Sequence, residues 1–237
     1  MRRVGKIALG IFGVLAVGLI GFLGYIWFSG GTAEPSRETE AEEVAPGQPE
    51  SVVYSAVPGE SEARFIIEEV LRGQPNTVVG VTDQVDGSLS LRFQPPDVEI
   101  GQFVINVRSV ETDDEVRDRT IRSLILESNK DEFEFSTFQP ASIAGVPESI
   151  ATGDTLDLEV TGDLTVRDVT RPVVFDMALE VSSREEIRGT ANTTITWDDF
   201  DITIPYVGGD SIVASVGDEV RLELDFLARA TENSSRE

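Results

Sequence analysis

Acidic side chains are the only chemically active residues present in quantity: 43 Asp and Glu against 19 Lys and Arg give a formal net charge of −24 over 237 residues. Two clusters could offer hard oxygen ligands to Ca²⁺. One is "WDDFD", with Asp198, Asp199 and Asp201, and the other is "TDQVDG", which ends like part of a calcium loop. In the second, Thr82 and Gln84 occupy the first and third ligand positions, so the spacing fails, and a turn or solvated strand end accounts for both stretches. Paired carboxylates could also hydrolyse glycosides, but among so many acids the presence of pairs discriminates nothing. The chain has no His and no Cys, which excludes disulfides, zinc-type sites, thiol nucleophiles and any Ser-His relay. No Gly-rich loop follows a strand and opens a helix, so phosphates find no cradle. The acidity opposes nucleic acid and anionic lipid surfaces as partners. No catalytic, metal or cofactor site is expected.

What remains is the placement of apolar residues. "MRRVGK" carries Arg2, Arg3 and Lys6, and the run from Ile7 to Phe28 has no charge. As a helix this run is about 33 Å long, enough for a hydrocarbon core of about 30 Å. Basic residues before it and Tyr25 and Trp27 near its end predict a single-pass signal-anchor with residues 1–6 cytoplasmic and the remainder periplasmic or extracellular; cleavage would make the domain secreted. Residues 29–50 are rich in Glu, Pro and Gly and predict a disordered acidic linker. Residues 51–231 form the domain, and 232–237 a tail.

Within the domain, apolar residues alternate strictly. "RPVVFDMALEV" places Val173, Phe175, Met177, Leu179 and Val181 on one parity, and "EVRLELDFLARA" does the same with Val220, Leu222, Leu224 and Phe226. Nine such segments, punctuated by "RGQPN", "VDG", "PPD", "AGVPES" and "GGD", predict an all-β antiparallel structure of about eight to ten strands. One stretch breaks the period. In "TDDEVRDRTIRSLIL", Thr112 and Glu115 are spaced as a capping box and Ile121, Leu124 and Ile125 recur at helical intervals, so a short helix is expected over 113–126. Closing the strands into a barrel would remove exposed edges and gather the apolar stripes inside, and an eight-stranded interior is either filled by side chains or holds one small ligand. Pattern alone leaves both open.

Two motifs bear on that choice. Ser109-Val110-Glu111-Thr112 followed by Arg117, Asp118, Ile121, Arg122 and Ser123, and later Gly162, Leu164, Thr165, Val166, Val169, Thr170, Arg171, Pro172 and Val173, resemble the YceI-like family, in order, over most of 54–230. The resemblance implies a lipocalin-like barrel, exported, whose bore binds an isoprenoid lipid such as a polyprenyl or quinone-type chain, without catalysis. On that basis the ligand-contacting residues are expected to be Phe65, Ile67 and Glu69 on one strand and Phe103 and Ile105 on another. Leu124 from the helix, Phe133 and Phe135, Leu158, Phe175 with Met177, and Leu224 complete the set. The chain departs from the family where relatives carry His-Ser and an inward His: here stand Glu60, Ser61 and Glu69. Asp168 replaces a Gly, and "DDFDI" replaces a basic residue followed by Asp-Phe-Gly. The competing expectation is an envelope interaction module with a filled β-core and function on its loops. Arg171 and Pro172 are expected at a strand entrance, where a missing amide is tolerated.

Overall fold

A computed structural model of the chain describes residues 18, 20–44, 50–204 and 213–231. Ten antiparallel strands make one sheet: β1 (Val52–Ala56), β2 (Glu62–Leu71), β3 (Gln74–Thr82), β4 (Val85–Phe93), β5 (Pro96–Asn106), β6 (Phe135–Ala144), β7 (Thr155–Val166), β8 (Val169–Glu180), β9 (Glu186–Thr196) and β10 (Val213–Ala230). Their order is β1-β4-β5-β6-β7-β8-β9-β10-β2-β3, and β1 also pairs with β10, so eight strands close a barrel. The 18-residue β10 carries two strands on one edge at different heights. Its last residues pair with β1, whereas Val213 to Asp225 pair with β2, with register shifts that bend the strand. One level of the wall is therefore built by β1 and the other by β2 and β3.

Nine strands coincide with the alternating segments, and β1 is additional. It lies between β4 and β10 and is largely buried on both faces, so "VVYSA" shows no alternation. Pro75 lies in β3, the last strand of the sheet order, where a missing amide costs no internal ladder bond. Pro172 is not at a strand entrance as expected but is the fourth residue of β8, paired with Asp163 of β7 and unpaired on its other side.

The expected helix lies between β5 and β6 but differs in two ways. Its N-cap is Asp114 rather than Thr112: the Asp114 carboxylate accepts from the Arg117 amide at 2.9 Å. Thr112 is instead gripped from within the helix, donating its amide (2.8 Å) and its hydroxyl (2.6 Å) to Asp118. Further, α2 (Glu115–Thr120) continues as a π-helical turn over Ile121–Ile125, closed by the Leu126 amide donating to Ile121 O at 2.8 Å. The wider turn rotates the apolar face by about one residue, so Ile125 and Leu126 meet the barrel core while Leu124 does not.

Ahead of the barrel, α1 (20–29) is the described part of the apolar N-terminal run; residues 7–17 and 19 of that run lie outside the described residues. Among the described residues no helix is long and apolar enough to cross a membrane. The C-terminus of α1 docks on α2 and its π turn. Arg119 donates to Trp27 O (3.2 Å) and Gly31 O (3.3 Å), Arg122 to Gly30 O (3.2 Å) and Asn129 to Ser29 O (2.8 Å). These donors satisfy carbonyls that a helix end leaves orphaned, and the two guanidiniums oppose the negative end of its dipole. Arg119 also lies 3.8 Å over the Trp27 ring. A Cβ on Gly30 would come within 2.8 Å of the Arg119 Cβ, so only glycine allows this close approach.

The acidic segment after α1 forms no helix or strand over 31–44, but it lies as a strap on the barrel wall. Ser36 donates its amide to Glu134 at 2.8 Å and its hydroxyl to the same carboxylate. The Ala41 amide donates to Asp86 (2.7 Å), the Val44 amide to Ser88 (2.8 Å), and Arg37 covers the Phe135 ring. These acceptors belong to strands far away in sequence, and residues 45–49 of the expected linker lie outside the described residues.

Candidate ligand-binding site

On β8, β9 and β10, burial along the inward parity is graded from one end of the barrel to the other, whereas β7 is buried from Leu156 to Leu164. On β8, Val181 and Leu179 are 0% exposed and Met177 5%, whereas Phe175 and Val173 are half-buried. The same gradient runs along β10, where Ala228 and Phe226 are buried and Leu224 and Leu222 are half-buried, and along β9 from Ile187 to Ile195. One end is thus a packed floor of Tyr54, Leu89, Leu91, Leu156, Leu179 and Ile187. The opposite end, where α2 lies, is an apolar mouth with incompletely covered walls.

Glycines on the inner wall decide where the aromatic rings go. Gly80 stands opposite Phe65, Gly87 opposite Phe103, and Gly189 opposite Phe226, and in each pair the ring lies where the glycine's Cβ would be, between 2.1 and 2.5 Å from that position. The missing Cβ of each glycine makes room for the ring of its partner. Phe103 and Phe226 meet with ring centroids 5.3 Å apart, and Phe138 and Phe175 meet edge-on at 4.8 Å, forming an aromatic belt above the floor.

The floor is closed by Tyr54, whose hydroxyl donates to Arg184 O at 2.9 Å. Burial pushes its phenol up to about 12, against the opposing pull of the Arg184 charge. At the mouth, Glu69 points inward with 9% exposure; it accepts from Asn76 Nδ2 at 2.8 Å and faces Arg117 of α2 at 3.6 Å. This set is a polar collar on an apolar cup. Sequence reasoning named Glu69 but not Asn76, whose signal lies in the two-residue turn at Arg72 and Gly73 that puts it opposite Glu69.

Of the expected contact residues, Phe65, Ile67, Glu69, Phe103, Ile105, Leu158, Phe175, Met177 and Leu224 have inward parity. Leu158 and Met177 belong to the packed floor and the others to the belt and mouth. Three lie elsewhere. Leu124 is turned away by the π turn, and Phe133 sits in a 3-10 turn beneath Lys130. Phe135 is three residues from inward Phe138, which gives it outward parity under the strap. "WDDFD" forms a 3-10 turn over Asp198–Phe200 in which the buried residue is Phe200, and Asp199 accepts from Thr196 Oγ1 at 2.6 Å. Glu60, in place of the family's His, is exposed and pairs with Arg229, and Ser61 is buried.

A closed antiparallel barrel with a packed floor, a helix at the other end and an apolar inner wall defines a lipocalin-like class of β-barrel. The sequence pattern of the YceI-like domain matches residues 54–228, and the chain belongs to that family. It is 30% identical over 129 residues to a UPF0312 protein of Ectopseudomonas mendocina, a match covering 52% of this chain and 63% of that relative's length. Among solved structures, it resembles a polyisoprenoid binding domain from Saccharophagus degradans implicated in plant cell wall breakdown, with a TM-score of 0.56, 16% identity, and coverage of 75% of this chain and 98% of that one. It also resembles Burkholderia cenocepacia BcnA, with a TM-score of 0.50, 18% identity, and coverage of 73% and 98%. At these identities the likeness to solved structures concerns the fold.

Proposed function

We propose that the barrel holds the apolar chain of an isoprenoid lipid, of polyprenyl or quinone type, and that the protein works outside the cytoplasm, tethered by its N-terminal run. The observation that carries this is the burial gradient on β8, β9 and β10, whose inward stripe is packed at the floor and half-covered at the mouth. A site that is only a folding core would bury its stripe evenly. The polyisoprenoid-binding neighbour with the same fold supports the ligand class, and the exposed Leu23, Tyr25, Trp27 and Phe28 of α1 support a lipid-facing N-terminal segment.

The geometry bounds the ligand. From Val220 to Leu224 of β10 the half-covered wall spans five residues, about 13 Å along the strand and about 10 Å along a barrel axis tilted as usual. Each CH₂ buried there contributes about 0.8 kcal/mol, so affinity should follow chain length until that depth is filled and then level off. Titrating a ladder of prenyl alcohols into the full chain tests this, alongside mass spectrometry of organic extracts from purified protein. Flat affinity along the ladder, or no binding, would reject the lipid reading in favour of an interaction module with a filled core.

A further inference from the structure

The barrel wall is split between β8 and β9. These strands pair only from Asp176 to Glu180 of β8 and from Arg188 to Asn192 of β9. Towards the mouth each remains fully paired on its far side, β8 with β7 up to Val169 and β9 with β10 up to Thr196, while the edges that face each other carry no ladder. A cavity of about 340 Å³ occupies the split. Its lining includes Val173 and Ile195, which have inward parity, together with Val174 and Thr194, which have outward parity. The cavity is thus lined by residues of both parities from the same two strands. Pro172 on its rim has no amide to offer a returning β9, Val174 is 44% exposed, and buried Phe200 forms part of the wall.

We infer that this split is a side entrance through which a prenyl-type chain passes edgewise into the bore, an inference that rests on the lipid-binding reading above. The split is continuous with the half-covered residues of the mouth, and Val173, Val174, Ile195 and Phe200 present apolar surface at the crossing, beside Arg171 and Asp199. No ladder hydrogen bond has to break for a chain to slip between the strands there, whereas β7 with β8 and β9 with β10 are joined along their length; the β5–β6 ladder is as short, four pairs from Phe103 to Asn106, but its pairs lie at the end where α2 sits. A long chain can then enter sideways along its length and need not be threaded end-on past α2 and the Glu69–Asn76–Arg117 collar.

The absence of cysteine makes a direct test available. Val174→Cys with Thr194→Cys in the full chain places one thiol on each lip, to be bridged by a short bismaleimide. Glu159→Cys with Asp176→Cys, directly opposed on the intact β7–β8 wall, is the bridged control. Geranylgeraniol is the probe, followed by stopped-flow tryptophan fluorescence and by equilibrium titration. Bridging the split should slow association and dissociation together by about tenfold or more while leaving the equilibrium affinity of the unbridged double variant, and the control bridge should change neither rate. Unchanged rates across the bridged split would overturn the entrance and leave the lipid reading standing. Lost affinity through faster dissociation at an unchanged association rate would also overturn it, making the split part of the seat. No binding by the unmodified chain would remove both.

Discussion

Replacing Glu134 with Ala should destabilise the barrel severely, although this residue touches neither bore nor mouth. Its carboxylate is 0% exposed and bonds Arg108 Nη1 at 3.1 Å, Asn106 Nδ2 at 2.9 Å and the Ser36 amide at 2.8 Å. Arg108 is itself 8% exposed in its side chain, and its remaining acidic partner, Asp131, is 84% exposed and screened by water. Truncation therefore strands a buried guanidinium and a buried amide, a loss of about 3–5 kcal/mol. For a domain of this size each kcal/mol moves the melting midpoint by about 2–4 °C, so a fall of about 6–20 °C is expected in thermal unfolding followed by circular dichroism. Glu134→Gln should lose less, and Glu134→Leu combined with Arg108→Met should recover much of the loss because no unpaired charge is left behind. The same truncation removes the Ser36 anchor, so trypsin should cut after Arg37 faster than in the wild type at a temperature where both barrels are folded. A loss under about 1 kcal/mol, typical of an exposed pair, would show that water reaches Glu134 and that the strap does not seal it.

Tyr54 makes the fold sensitive to alkali: the folded phenol keeps its proton up to about pH 12, whereas an unfolded tyrosine releases it near pH 10, so its contribution is complete below 10 and is lost between 10 and 12. Melting midpoints measured across that window should fall more steeply in the wild type than in Tyr54→Phe, and parallel curves would refute the assignment. Gly189→Ala should cost about 1–3 kcal/mol, because its Cβ would sit 2.1 Å from the Phe226 ring that packs on Phe103, and an unchanged melting midpoint would mean the ring moves freely. Phe175→Asp, which sets a charge against Phe138, should lower the melting midpoint far more than Asp176→Asn on the outer face; equal effects would mean the register of β8 is wrong.

The legible parts of the molecule were those whose pattern is local. The stripe on β8 could be read because Val173 to Val181 alternate without exception, and the resemblance in the two motifs extended that reading to a barrel. Phe133 and Phe135 could not be placed, because aromatic identity does not fix parity; only the pairing of Phe103 with Phe138 does. Leu124 was misplaced for a related reason, since a helical spacing counted in α turns fails one residue into a π turn. The rings of Phe65, Phe103 and Phe226 over their glycines were invisible because such pairs join distant segments. The split between β8 and β9 left a single local mark, Pro172, whose missing amide lies on the unpaired edge of β8.

The strap changes how far the barrel can travel. A free spacer of 20 residues could extend about 65–70 Å and let its domain sweep a wide volume above whatever holds α1. Here Arg119, Arg122 and Asn129 clamp the start of that spacer, and Glu134, Asp86 and Ser88 fasten it again at Ser36, Ala41 and Val44, leaving only a few residues of slack between fixings. The barrel is consequently held against α1, with the helix-bearing mouth turned towards it, and the two can separate only if the strap peels away first.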